Sequence, residues 1–253
     1  MIERRIRPDP RSINITSWLR RISLEYLIEK SRGNEERANE IKKETLEMLK
    51  EAYSSQDLSD VFRVANSFLN AQKLALIECG YEVFDYIATT KSRLLVGMSS
   101  EFGRAIFEVG LSWNHNLNLP YIPGSSLKGA FRSYLELKRP DLANLLGSKE
   151  ASSAVIFLDS YPINSRGSLI VPEVTTPIYR EKEGKIKETE ASPVPIVYLA
   201  VNKGVGFRML VGVRSSSEKC KELADNLGIF LRSTLMNGIG AKTLLGYGML
   251  SVP

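Results

Sequence analysis

The sequence predicts an α+β protein, in which a layered domain of ferredoxin-like type follows a helical N-terminal extension. Helical periodicity runs from Ser17 to about Glu78, segments rich in Val, Ile, Phe and Tyr begin after Gly80, and two later helices separate those segments. Strands and helices in the order strand, helix, strands, helix, strand are typical of a split βαβ layer fold. We therefore predict the extension over residues 1–79 and the layered domain over residues 80–253.

The predicted extension begins with a basic segment and continues as amphipathic helix. Ser17 is a candidate N-cap, since a serine hydroxyl accepts hydrogen bonds from the first unpaired amides of a helix. A second stretch covers Leu58–Ile77, and we expect its apolar residues to lie on roughly one face: Val61, Val64, Ala65, Phe68, Leu69, Leu74 and Ile77. The basic start is either an arm that reaches a partner or a disordered end, and it holds Arg4, Arg5, Arg7 and Arg11.

The layered domain is predicted from alternating strands and helices. A turn at Pro120 leads into a helix that Ser125 or Ser126 caps, with a buried stripe of Leu127, Phe131, Tyr134 and Leu135. A second helix covers Ser217–Met236. Strands are predicted within or over Tyr81–Met98, Phe107–Trp113, Val155–Leu158, Ser168–Val174, Val194–Val201 and Gly206–Val213. Between two of these strands, a charged excursion at Arg180–Glu188 predicts a protruding hairpin or a mobile loop.

Composition limits the class of protein. Of the 253 residues, 43% are hydrophobic and 25% are charged, and the formal net charge of +5 is compatible with nucleic-acid binding. Cys79 and Cys220 lie far apart and the chain has one histidine, which excludes a Cys/His zinc cluster and gives no disulfide framework. The longest apolar run, Val194–Val201, is too short to span a bilayer. We expect a cytoplasmic protein that needs neither a metal nor another cofactor.

The chain ends in a glycine-rich segment, Asn237–Gly248, whose interleaved Lys242, Thr243 and Tyr247 suggest contact with an anion. Glycines such as Gly238 and Gly240 let a backbone take positive φ and approach a ligand closely. A nucleotide P-loop is excluded, because Ala241 precedes the lysine and a strand-like segment follows it. A tight turn before the last strand remains an alternative.

A second basic motif opens the helix that follows Pro120. Gly124, Ser125 and Ser126 stand at its start, where unpaired amides and hydroxyls can meet a phosphate. Lys128 and Arg132 are four residues apart and therefore share one helix face. A solvated basic face remains the alternative reading of this pair.

The two motifs together resemble the RAMP superfamily of CRISPR proteins. The resemblance rests on Ile122–Arg132 and Gly238–Gly248, with further similarity in Phe157–Pro162 and Pro193–Val201, and it covers roughly residues 85–253. It implies a domain like the RNA-recognition motif that ends in a glycine-rich loop. The residues expected to contact RNA are Gly124, Ser125, Ser126, Lys128, Arg132, Gly238, Gly240, Lys242, Thr243 and Tyr247.

Within the superfamily, the motifs are most similar to the sixth-subunit family of the type III-B Cmr effector complex. That similarity implies a non-catalytic structural subunit that helps hold the 3′ side of CRISPR RNA, beside target RNA and neighbouring backbone subunits. A protruding insertion at about 175–193 would touch the guide–target duplex or a neighbour, or would be a plain solvated loop. A RAMP subunit of the type III-A complex is an alternative.

An enzymatic alternative uses the lone histidine, His115. Related metal-independent CRISPR RNA-processing ribonucleases use a histidine as general base on a ribose 2′-hydroxyl. The sequence offers His115 no clear partner. Asp85 and Asp159 stand alone in apolar stretches, and metal-dependent cleavage needs clustered carboxylates, so we expect these two to form strand-end hydrogen bonds.

Overall fold

A computed structural model of the protein describes residues 7–55, 57–148, 152–176, 180–182, 185–187 and 195–252. The chain begins with three helices, α1 (Ile15–Ser31), α2 (Glu35–Ser55) and α3 (Ser59–Glu78). The predicted N-cap is wrong: Asn14 caps α1, and its side-chain oxygen accepts from the Ser17 amide at 2.9 Å. Arg4 and Arg5 lie outside the described residues.

The remaining elements alternate between strands and helices. In chain order they are β1 (Glu82–Thr90), α4 (Arg104–Phe107), β2 (Trp113–Asn114), β3 (Leu119–Pro120), α5 (Gly124–Lys138), α6 (Pro140–Ala143), β4 (Val155–Phe157), β5 (Tyr161–Ser165), β6 (Ile170–Thr175), β7 (Arg180–Lys182), β8 (Lys185–Lys187), β9 (Ile196–Val201), β10 (Val205–Val213), α7 (Glu218–Met236) and β11 (Leu250–Ser251).

The main sheet has the strand order β11-β1-β10-β4, and β5 also pairs with β10. All of these pairs are antiparallel. Strands β4 and β5 follow one another along one edge of β10, and within the β5–β10 pairing the register shifts between Gly206 and Phe207. With α5 after β1 and α7 after β10, this is the order of a ferredoxin-like sheet, which confirms the predicted α+β class.

Smaller antiparallel pairs lie outside this sheet. Strands β6 and β9 form a ribbon, β2 and β3 form a short pair, and β7 and β8 form the hairpin predicted within Arg180–Glu188. The rest of the predicted insertion at about 175–193, namely 177–179, 183–184 and 188–193, lies outside the described residues.

Both faces of the main sheet are covered by helices. Tyr86 of β1 faces α7, where its hydroxyl lies 3.1 Å from the position a Cβ on Gly228 would occupy. Alternate strand residues point to opposite faces, so Asp85 points the other way, and it pairs there with Lys73 of α3 at 3.0 Å. All nine residues of β10, the central strand, are buried as a result. Buried side chains of α1–α3 and of the sheet form one hydrophobic cluster.

Several local predictions are wrong. Segment Phe107–Trp113 is not a strand, because α4 ends at Phe107 and β2 begins only at Trp113. Neither Ser125 nor Ser126 caps α5, which begins at Gly124 after Pro123; the Gly124 amide instead donates to the Asp159 carboxylate at 2.8 Å. The buried stripe of α5 is confirmed for its three fully buried members, Leu127, Phe131 and Leu135.

The apolar residues of α3 do not share one buried face. Val61, Ala65 and Leu69 are buried, whereas four others are exposed, namely Val64, Phe68, Leu74 and Ile77. Within the described part of the chain, no helix combines the length and the apolar character needed to cross a membrane.

Candidate nucleic-acid interface

The glycine-rich loop lies at one end of the main sheet. The strand registers place Thr90 of β1, Val205 of β10, Ser165 of β5 and Leu250 of β11 at that same end. Helix α7 finishes there at Met236, and the loop 237–248 connects it to β11. The loop contains one 3-10 turn, at Thr243–Leu245.

Three glycines of the loop are required by the protein's own packing. Gly238, Gly240 and Gly248 all have positive φ, between 73° and 90°. A Cβ on Gly248 would lie 2.0 Å from the Ile239 carbonyl oxygen, and one on Gly240 would lie 2.5 Å from that of Leu95. Gly238 and Gly240 were predicted to allow a ligand to approach the loop closely. In the structure, the space beside the loop glycines is occupied by backbone of the protein itself.

Backbone hydrogen bonds hold this loop against the segment that follows β1. The Ala241 amide donates to the Leu95 carbonyl at 2.8 Å, and the Gly248 amide donates to the Arg93 carbonyl at 2.8 Å. Across the loop itself, the Ile239 amide donates to Gly248 at 2.9 Å. These backbone hydrogen bonds therefore define the conformation of the loop and its position beside residues 93–95.

Lys242, the leading candidate for RNA contact, is bonded to the β6–β9 ribbon. Its backbone is left-handed, with φ 60°, and its ammonium donates to the Thr175 hydroxyl and, at 2.6 Å, to the Tyr198 hydroxyl. The same ammonium lies 4.5 Å from the centre of the Tyr198 ring, within cation–π range. Burial raises the pKa of the Tyr198 phenol, but hydrogen bonds from Lys242 and Thr175 outweigh it and the net shift is downward.

Tyr247 is also anchored to the ribbon. Its hydroxyl donates to the carboxylate of Glu173, which is 6% exposed and also accepts from Arg93. Burial raises the pKa of Tyr247, and the neighbouring Tyr198 raises it further. The Tyr247 ring is partly buried and packs against the hydrophobic core, so this residue helps to hold the loop in the fold.

The tip of the loop carries residues that the sequence argument did not single out. Leu244 is fully exposed and Leu245 largely so, while Thr243 beside them is half-buried. The loop therefore presents two apolar side chains beside a lysine whose ammonium still has one donor beyond Thr175 and Tyr198.

The second motif lies beside the junction of β4 and β5. Gly124 is required there, since a Cβ would lie 2.1 Å from the Phe157 carbonyl oxygen. Ser125 is exposed and Ser126 half-buried at the start of α5. Arg132 is engaged by protein: it donates to the Gly147 carbonyl at 2.5 Å and lies 3.7 Å from the carboxylate of Glu136.

Lys128 differs from its neighbour on the same helix face. Burial lowers the pKa of the Lys128 ammonium, and the positive charge of Arg132 lowers it further. Within the described ranges, Lys128 has no ion-pair partner, since the salt bridges there involve other residues. The structure thus brings the loop residues together at the sheet end and places the α5 residues separately, beside β4.

The face of the sheet that lies under α3 is closed. RNA-recognition motifs stack bases on aromatic residues of an open sheet. Here Arg208 of β10 donates from that face to Asn66 and Asn70 of α3, at 2.6 and 2.7 Å. Because α3 covers this face, bases cannot stack on it, and the surfaces that can contact a nucleic acid are loops, turns and helices. Apart from the polar spacing of Asn66 and Asn70, no pattern in the amino-acid sequence indicates this cover.

His115, the candidate catalytic residue, is hydrogen-bonded to helix α1. His115 is exposed in the turn between β2 and β3, and its Nδ1 lies 2.8 Å from the Thr16 hydroxyl of α1. Across the described residues, no three His, Cys, Asp or Glu side chains are grouped so as to hold a metal ion. Asp85 and Asp159 both accept hydrogen bonds, from Arg208 and from the Gly124 amide, but only Asp159 lies beyond a strand end, because Asp85 is in the middle of β1.

Comparison with known proteins agrees with this architecture. The family model described as the RAMP superfamily matches residues 87–251. The Cmr6 subunit of Saccharolobus solfataricus is 32% identical over 225 residues, which cover 88% of this chain and 75% of that protein. Cmr6 of Pyrococcus furiosus is 24% identical, with 64% of this chain and 65% of that protein covered.

A solved structure extends the similarity to the fold. A chain in the cryo-EM structure of the type III-B Cmr-beta complex bound to cognate target RNA superposes with a TM-score of 0.76 and 30% identity. The match covers 91% of this chain and 79% of that chain, so it includes helices of the N-terminal extension. These findings favour type III-B over the type III-A alternative. The chain belongs to the RAMP superfamily and, within it, to the Cmr6 family of type III-B Cmr subunits.

Proposed function

We propose that this protein is a non-catalytic, RNA-binding structural subunit of a type III-B Cmr effector complex. In this role it helps hold the 3′ side of CRISPR RNA and assemble the backbone that recognises target RNA. The observation that carries the proposal is the match to a chain of a Cmr complex bound to cognate target RNA, at 30% identity over 91% of this chain. Its partners are CRISPR RNA, target RNA and neighbouring Cmr subunits.

Backbone contact is the mode of RNA binding that fits the geometry. The closed sheet face cannot stack bases, and the candidate contacts are cations, amides and hydroxyls. Such groups bind phosphate and ribose without reading base sequence. A subunit that holds guides of many sequences requires contact of this kind. Lys128 has no ion-pair partner among the residues that the structure describes, and Lys242 retains one N–H donor beyond Tyr198 and Thr175.

The surroundings of His115 support a structural role for this residue. Its Nδ1 is hydrogen-bonded to the Thr16 hydroxyl of α1, at 2.8 Å. Its backbone carbonyl also accepts from Asn14, at 2.8 Å. These contacts give the histidine a role in joining α1 to the β2–β3 turn.

Labelled CRISPR-repeat RNA tests both parts of the proposal. We expect the purified protein to bind this RNA and a scrambled RNA with similar affinity, and to leave both intact with or without EDTA. Specific cleavage that is lost in His115→Ala would show that the subunit is a ribonuclease. Asn116→Ala, one residue away in the same exposed turn, is the matched control for disturbance of the turn. Failure of the wild-type protein to bind either RNA would overturn the binding role.

A further inference from the structure

Three exposed basic side chains stand at the end of the sheet that carries the glycine-rich loop. They are Lys91, directly after β1; Arg166, directly after β5; and Lys203, in the turn between β9 and β10. None belongs to either sequence motif, and Lys91 and Lys203 are far apart along the chain. Only the fold brings them together.

Short backbone contacts establish that these three turns are adjacent. The Gly204 amide donates to the Thr90 carbonyl at 2.8 Å, and the Arg166 amide donates to the Gly204 carbonyl at 3.1 Å. The buried Thr90 hydroxyl fixes the arrangement further, because it donates to the Asn202 carbonyl at 2.8 Å and accepts from the Val205 amide at 2.9 Å. The basic side chains therefore project from a rigid frame.

The charge of this cluster is not balanced locally. In the described part of the chain, none of the salt bridges involves Lys91, Arg166 or Lys203. The turns themselves add no acid, since residues 89–93, 163–169 and 201–206 contain neither Asp nor Glu. Arg93 nearby is already paired with Glu173. Three cations that form no salt bridge within the described ranges give this surface a local positive potential, which attracts an anionic partner.

The cluster is continuous with the glycine-rich loop. The Lys91 amide donates to the Met249 carbonyl at 2.8 Å, and further along the same segment Leu95 accepts from Ala241. Residues 91–95 thus run from the cluster to the start of the loop, and four residues of extended chain span at most about 14 Å. A polyanion that follows this segment would pass from the cluster to the neighbourhood of Lys242.

We propose that Lys91, Arg166 and Lys203 form a phosphate-binding surface over which single-stranded RNA passes beside the glycine-rich loop. The inference rests on the proposed RNA-binding function and assigns residues to it that neither motif contains. RNA is favoured over an acidic protein surface because it presents one negative charge at every nucleotide, which suits a cluster of cations without any acidic residue. A folded protein surface usually mixes both signs.

The test compares two triple variants with the same change in net charge. The first is Lys91→Ala/Arg166→Ala/Lys203→Ala. The control removes three exposed lysines from α2 and α7, namely Lys43, Lys50 and Lys219. Binding to a fluorescent single-stranded RNA is measured from 50 to 200 mM salt, and circular dichroism with denaturant unfolding verifies that each variant folds. Exposed side chains are substituted throughout, so we expect wild-type unfolding midpoints.

The cluster variant should lower the slope of log affinity against log salt by about 2, from three contacts at about 0.7 each. Over the 50–200 mM range this makes the wild-type protein lose about 20-fold more affinity than the variant. The control should keep the wild-type slope. Equal effects of the two triples, or an unchanged slope in the cluster variant, would overturn the inference while leaving RNA binding itself intact.

Two other results also count against the inference. If the cluster variant binds RNA as the wild type does but no longer co-purifies with the other Cmr subunits, the surface contacts protein instead. If the wild-type protein fails to bind RNA at every salt concentration, this inference falls together with the proposed function.

Discussion

Arg208 of the central strand binds Asp85 of the neighbouring strand through two hydrogen bonds, of 2.9 and 2.6 Å, beneath helix α3. The same guanidinium reaches Asn66 and Asn70 of that helix. Lys73 of α3 completes the arrangement with a 3.0 Å contact to Asp85. This polar network joins the N-terminal extension to the middle of the sheet.

Asp85→Asn should destabilise the fold in a manner that depends on pH. Hydrogen bonding to Arg208 lowers the pKa of Asp85, and the contact with Lys73 lowers it further. A lowered folded-state pKa contributes stability above the unfolded value of about 3.9, and that contribution is lost as pH falls through the folded value. We expect a loss of about 2 kcal/mol at pH 7, reduced from the fully buried range because Asp85 is partly exposed.

Denaturant unfolding at pH 7 and at pH 3 measures this effect. The difference between the wild type and Asp85→Asn should shrink at pH 3, where the carboxylate is largely protonated in the unfolded protein. Asp60→Asn is the control, since that exposed residue pairs only with Arg63 within its own helix turn among the described contacts. A difference that is the same at both pH values would show that charge is not the cause.

Gly248→Ala and Gly246→Ala should separate two reasons for glycine in the loop. Both residues have positive φ, 73° and 83°, and alanine pays about 1 kcal/mol in that conformation. Around Gly246 a Cβ meets nothing within 4 Å, whereas at Gly248 it would lie 2.0 Å from the Ile239 oxygen. We therefore expect losses of about 1 kcal/mol for Gly246→Ala and about 3 kcal/mol or more for Gly248→Ala. Thermal unfolding compares them, and equal losses would contradict the packing argument.

Asn118→Ala should loosen the N-terminal segment. The buried Asn118 amide donates to the carbonyls of Pro10 and Ile13, and its oxygen accepts from the Ile15 amide at 3.0 Å. Loss of these partners leaves buried polar groups unsatisfied, and we expect about 3 kcal/mol of destabilisation. Asn116→Ala, at an exposed position, should change stability by less than about 0.5 kcal/mol.

The positive φ of Asn118, 52°, adds a second contribution. Asn118→Gly relieves that conformation but also lacks the amide, so it should recover only about 1 kcal/mol of the loss. Full recovery in the glycine variant would assign the effect to the backbone and not to the hydrogen bonds.

Lys128→Ala and Arg132→Ala should differ although they occupy one helix face. Lys128→Ala should weaken binding to unrelated RNAs by a similar factor and lower the salt slope by about 0.7. Arg132 is held by Gly147 and Glu136, so its removal should reduce stability with little change in slope. Fluorescence anisotropy over a salt series measures both, and an unchanged slope for Lys128→Ala would mean that this lysine faces solvent or protein.

Lys242→Ala should affect both RNA binding and the loop. It removes a cation and also frees Tyr198 and Thr175, to which the ammonium is bonded. Tyr198→Phe is the matched variant, because it removes the hydroxyl and keeps the lysine. We expect a slope reduced by about 0.7 in Lys242→Ala and a slope like that of the wild type in Tyr198→Phe. Reduced slopes in both variants would assign the effect to loop geometry.

Strong local patterns made α5 and α7, the two helices that pack on the main sheet, predictable. The helix predicted over Ser217–Met236 is α7, in which Ser217 is the N-cap and apolar residues at helical spacing are buried. Strand β5 was missed because Pro162 interrupts it, although a proline is compatible with a strand where the register shifts, as it does at Gly206/Phe207. Asn14, rather than Ser17, caps α1, because either residue type is suitable and only the fold fixes where the helix begins.

The contacts of the candidate residues could not be predicted from the sequence. Periodicity cannot tell which side of α3 meets the sheet, and Val64 and Phe68, expected on one face with Val61, are exposed. The spacing of Gly238, Gly240 and Lys242 indicated a loop, yet their neighbours Leu95 and Tyr198 come from distant parts of the chain. The basic cluster at Lys91, Arg166 and Lys203 has no linear signature at all.

The cover that α3 places over the sheet has a consequence for synthesis of the chain. The three N-terminal helices leave the ribosome first, but β10, which carries Arg208, follows more than a hundred residues later. Until then, the buried side of α3, with Val61, Ala65 and Leu69, has only part of its sheet to pack against. We therefore expect part of this apolar helix surface to stay in contact with solvent or with a chaperone until β10 is made. Removal of residues 1–79 would expose the face of the sheet that α3 covers.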